Sequence, residues 1–203
     1  TAAVGNLTSA ELGSLTSVQT PGLTSGQIKA LSTDALHGLI STGATLASTQ
    51  VAGLTSGQLN SLSQSDLQTL TVTTLSSAQI GGLSSGEAAN LSSTQVGNLS
   101  SAQIGALSTA AVGQLTTAEL NALGTGQIKG LTSTQLNALS SDNLQALNAS
   151  NLSTAQIAGL NSAQGSLLSS TQVQSLSSAQ IGALSTAAVG NLTSAELGSL
   201  TSV

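Results

Sequence analysis

The octapeptide LSSAQIGA at residues 99–106 carries the reading of the whole chain. Leu99 is followed after eight positions by Leu107, and leucine keeps this spacing from Leu7 to Leu200 with three exceptions. One step is seven residues, Leu39 to Leu46, and two are five, Leu70 to Leu75 and Leu147 to Leu152. With each leucine numbered 0, there are 22 complete octads. Ser or Thr holds position 1 in 19 of them, Gln or Glu position 4 in 17, and Ile, Val or Leu position 5 in 19. Small or amide residues fill most of the remaining places.

Read as a helix start, this octad contains two capping devices in register. Ser100 stands at the N-cap and Gln103 at N3, the spacing at which each side chain can bond the other's backbone N–H. Leu99 and Ile104 fall at N′ and N4, the hydrophobic-staple positions. Each octad is then about one and a half turns of helix, restarted by the next Ser or Thr. So short a helix cannot hold alone, because nucleation costs more than one turn returns. Neighbouring turns must supply the stability. Ala and Gly at positions 3, 6 and 7 would let backbones approach, and Gly near the end of a unit also suits a left-handed C-cap. The expected fold is an all-α solenoid of very short capped helices, one per octad. The alternative is a β-solenoid, for which "LTVTTL" at 70–75 reads as a local strand. Offsets 0 and 5 argue against it, since strand alternation sends them to opposite faces unless a corner intervenes. Each five-residue step omits the Gln-Ile portion of an octad. A kink, a strand or a change of helical phase is therefore expected near Thr71–Thr74 and Ala149–Asn151.

Longer repeats overlie the octad. Residues 46–122 and 123–199 read as two copies of a 77-residue unit, and Thr1–Val18 is identical to Thr186–Val203. Residues 1–203 are thus expected to form a single array, a window onto a longer tandem-repeat chain. The LTxxQ-like start of each octad resembles the helix-initiating motif of small periplasmic chaperones with LTxxQ repeats, which implies local structure only. Across almost its entire length the sequence resembles the octad tracts (LTTAQIAAL and relatives) of giant bacterial surface and adhesin-like or extracellular filament proteins. That resemblance implies a structural, cell-surface role, including biofilm.

The composition narrows the function further. Phe, Trp, Tyr, Met and Cys are absent, and charged residues are 4% of the chain against 39% hydrophobic. With Leu, Ile, Val and Ala as its only sizeable apolar residues, the chain has an aliphatic interior to build and little charge on its surface. Two lysines and no aromatics give no footprint for nucleic acid, so no such partner is expected. Without cysteine there is no disulfide framework or thiolate site. No apolar run reaches the 18 or so residues of a membrane span.

Candidate chemistry is sparse. His37 is the sole histidine and sits at position 6, where Gly, Asn, Lys and Gln also occur; an exposed substitution accounts for it, as for Lys29 and Lys129. Glu11, Glu87, Glu119 and Glu196 stand at position 4, where capping explains them. Asp34, Asp66 and Asp142 are the only carboxylates left for a metal site across stacked turns, and no Ca²⁺-binding motif surrounds them. Asn-x-Ser/Thr triplets occur at Asn6, Asn90, Asn98, Asn148, Asn151 and Asn191, and all but Asn148 follow from Asn before Leu-Ser/Thr. The expectation is no catalytic, cofactor or metal residue, no cofactor and no enzyme activity. A structural shaft with self-association into filaments or bundles, in contact with surface or matrix polysaccharide, is the leading reading. A module presenting Ser/Thr rows to carbohydrate, mineral or ice is the alternative.

Overall fold

In a computed structural model, residues 2–41, 43–190 and 192–200 are described. Among them the chain forms 22 α-helices of four to nine residues and three 3₁₀ turns, with no strand. The octad is the unit of construction. Ser100 has φ −70° and ψ 161° and accepts from the Gln103 N–H at 3.2 Å. Gln103 Oε1 in turn accepts the Ser100 N–H at 2.8 Å. Helix Ser101–Ala106 follows, and Leu107 returns the backbone to extended geometry at φ −55° and ψ 139°. Two extended residues, Leu and its Ser or Thr, therefore make each corner between helices.

Three helical sides close one coil, and each side lies over the side three repeats earlier. Ser101–Ala106 packs between Ser77–Gly81 and Thr125–Ile128. Thr109–Gln114 lies between Ser85–Ala89 and Ser133–Leu136, and Thr117–Asn121 between Ser93–Asn98 and Ser141–Ala146. The chain is a three-sided prism. Corner leucines and position-5 residues point inward: Leu99, Ile104 and Leu107 are all nearly inaccessible, in one aliphatic cluster from Leu12 to Leu192. Each such burial contributes about 1.5–3 kcal/mol, which is what holds single helical turns that would not persist alone.

The irregular steps show what each consensus residue does. At Leu39, position 1 is Ile40 and position 4 is Gly43, so neither the capping hydroxyl nor the position-4 amide is there to restart the backbone. The helix begun at Thr33 runs on to Ser41, burying Leu39 and Ile40, and the next side lacks a helix until Ser48. Gly43 ends this run with φ 81° and is the only positive-φ residue among those described. Other glycines do not cap helices in the left-handed region; that expectation fails because the turns end in right-handed or extended conformation and pass straight into a corner. Their use is close approach. A Cβ on Gly53 or Gly130 would collide with the backbone of Ser25 or Ser101 in the coil beneath.

Neither five-residue step forms a strand. Val72–Thr74 and Ala149–Asn151 are single 3₁₀ turns, each serving as one shortened side, so the expected interruption is absent: a turn of three residues spans a side as an octad does and keeps the stacking in threes. The stack passes through both without a break. Val72–Thr74 packs between Ser48–Val51 and Ser93–Asn98, and buried Val72 and Ala149 stand in for the missing position-5 aliphatic.

Candidate functional site

Position 4 is where the structure adds most to the sequence. Gln103 caps its own helix through Oε1, while its Nε2 donates to Val72 O at 2.9 Å and Leu75 O at 2.7 Å in the coil below. Gln58 reaches Ile28 and Leu31 in the same way, Gln135 reaches Ile104 and Leu107, and Gln156 reaches Ile128 and Leu131. Each buried glutamine thus donates both amide hydrogens to the coil below, and all but Gln164 also cap their own helix through the oxygen. The outcome is a ladder of amides at the corners, tying every coil to the one beneath. Capping alone missed this. A capping box accepts Glu as well as Gln, yet position 4 holds 13 Gln against four Glu. That excess was the available signal, because only an amide can both accept from the cap and donate twice to carbonyls.

The acidic residues at this position behave differently from one another. Glu119 Oε2 accepts from the Thr116 N–H at 2.6 Å and from its hydroxyl at 2.9 Å. Glu11 does the same with Thr8, and those bonds, the backbone N–H foremost, hold its exposed carboxyl below the ordinary range. Glu87 is buried, does not cap, and leaves Oε1 without a partner; burial pushes its carboxyl up, opposed weakly by the Asn90 amide. The side chain of Glu196 lies outside the described residues.

The candidate chemical residues do not gather. His37 is exposed as expected but not merely solvated: its Nδ1 lies 3.2 Å from Asp66 Oδ2, which also accepts from Ser63 Oγ at 2.8 Å. The pair bridges two coils. Asp34, Asp142, Lys29 and Lys129 are exposed, and Asp34 borders a shallow hollow with His37 one helical turn away. Among the described residues no three His, Cys, Asp or Glu side chains converge on a metal position. An open hollow of about 700 Å³ lies between coils, bordered by Ser25, Lys29, Thr55, Thr74 and Gln79 beside the shortened side at 72–74. Asn6, Asn98 and Asn148 are exposed, Asn90 and Asn151 half-buried, and Asn191 lies outside the described residues. No helix among the described residues is long and apolar enough to cross a membrane.

Coils of capped octads joined by position-4 amides recur along the described residues. Residues 112–149 match the ALTTAQ repeat. The match covers LTTAE at 115–119 and the octads beginning at Leu123, Leu131 and Leu139. The same cap and ladder bonds extend to octads on both sides of the ALTTAQ-matching segment, as at Gln58 and Gln172. No curated protein and no solved structure matches the chain.

Proposed function

We propose that this chain is part of the shaft of an extracellular bacterial filament or giant surface adhesin, a non-catalytic spacer. The observation that supports this reading most is the amide ladder. It joins each coil to the last by the same bonds, so the structure grows by adding coils without altering those already present. A sparsely charged exterior of Ser, Thr, Gly and Asn adds to it: with 4% charged residues there is little repulsion between neighbouring rods. Side-by-side bundling and contact with matrix polysaccharide follow from that surface.

Small-angle scattering on a series with whole coils of three octads added is the direct test. Each added coil should lengthen the particle by about 8–10 Å, the spacing of packed helices, at constant cross-section. A particle that thickens or stays compact as coils are added removes the shaft reading. Accessibility to antibody on intact source cells tests the location, and signal only after lysis argues against it.

A further inference from the structure

One corner of the prism lacks its amide ladder over three successive coils. The ladder positions there are Asp66, Glu87 and Ala111. None carries an amide. Glu87, in the middle, is 6% exposed, and its Oε1 has no hydrogen-bond partner.

The chain contains its own comparison 77 residues on. Gln164 is the counterpart of Glu87, and its Nε2 donates to Leu136 O at 2.9 Å and Leu139 O at 2.7 Å. The counterparts of those carbonyls in the first copy belong to Leu59 and Leu62. The caps match too. The Ser84 N–H is taken by Asn60 Oδ1 at 2.8 Å, and the corresponding Asn161 N–H by Asn137 Oδ1 at 3.0 Å. Glu87 is therefore released from the capping duty that occupies Glu119, and it faces the same task as Gln164 with a carboxyl group.

We infer that Glu87 is a proton-dependent rung of the ladder: protonated, it donates to the Leu59 or Leu62 carbonyl and ties its coil to the one below; ionised, it leaves that corner joined by packing alone. A carboxylate opposite carbonyl oxygens has only acceptors to offer. The surroundings do not compensate. The coil below contributes Asp66, itself paired with His37, while helix Thr109–Gln114 above and the flanking sides 75–82 and 91–98 carry no charge. The carboxyl accepts one long bond, from Asn90 Nδ2 at 3.4 Å from Oε2.

The sign follows from linkage. Burial raises the proton affinity of Glu87 in the folded chain, so this contribution is complete below the ordinary value of 4.5 and fades as pH rises through the folded value. Thermal melts of the wild type, Glu87→Gln and Glu87→Ala from pH 3.5 to 8 read it out. Glu87→Gln should melt higher than the wild type at neutral pH, with the gap closing towards pH 4. Glu87→Ala should lose the same pH-dependent component without that gain. A carboxyl NMR titration of the wild type should place the Glu87 midpoint above 4.5. Parallel pH profiles for wild type and Glu87→Gln, or a midpoint at or below 4.5, overturn the inference.

Discussion

The Gln103 side chain makes three hydrogen bonds, and only one of them is local. Replacing it with Glu keeps the acceptor for the Ser100 N–H but removes both donors to Val72 and Leu75, leaving buried carbonyls facing a carboxylate. Gln103→Glu should cost about 1–3 kcal/mol at neutral pH, measured by urea unfolding, and less in acid. Ser100→Ala removes only the local half and should cost about 1 kcal/mol, with no dependence on pH. Carboxylates already present at position 4 divide by what they touch. Glu11, whose bonds to Thr8 lower its proton affinity, contributes stability that is present above its ordinary value and lost as pH falls through the folded one. Buried Glu87 acts in the opposite direction.

At the scale of the helix, the decisive quantity is how near one backbone comes to the next. Gly130 lies against the Ser101 backbone, so a methyl group there must push two coils apart; Gly130→Ala should cost about 1–3 kcal/mol. Gly126, in helix Thr125–Ile128, has nothing within 4 Å of an added Cβ. Gly126→Ala should be neutral or stabilising by up to about 1 kcal/mol, since Ala is the better helix former. Thermal melts of the two variants distinguish close approach from a general need for flexible residues. Ile40 supplies the complementary lesson. After Leu39 the helix simply continues through Ser41. Ala47 and Gly124, which also lack a capping hydroxyl, still start helices because Gln50 and Gln127 accept their N–H groups. The position-4 amide can restart the spiral without the hydroxyl.

Over the whole molecule, counting sides in threes explains the long repeats. The 77-residue unit contains ten sides, so successive copies are turned by one face of the prism. The identical segments 1–18 and 186–203 stand 24 sides apart, a whole number of coils, and return to the same faces. Each of the three short steps, at 39–45, 70–74 and 147–151, falls on a different face. Deleting the octad 99–106 should leave a folded rod with every later side moved round by one face, because Leu107-Ser108 meets the preceding corner as Leu99-Ser100 did. Deleting residues 99–102 alone removes a corner leucine and its cap while keeping Gln103, and should unfold the adjoining coils. Circular dichroism melts and hydrogen exchange across 83–122 separate these outcomes.

The octad, its Ser/Thr caps, its inward Leu and Ile, and the helical class were legible in the linear chain. They depend on bonds between residues three to five apart, and spacing alone determines such contacts. Three sides to a coil, the second duty of the glutamines and the fate of the short steps were decided only in the stack. Gln103 meets Val72 and Leu75 across about thirty residues, and Gly130 meets Ser101. No local pattern encodes which earlier carbonyl lies beneath a given amide, since that depends on where the corners close the coil.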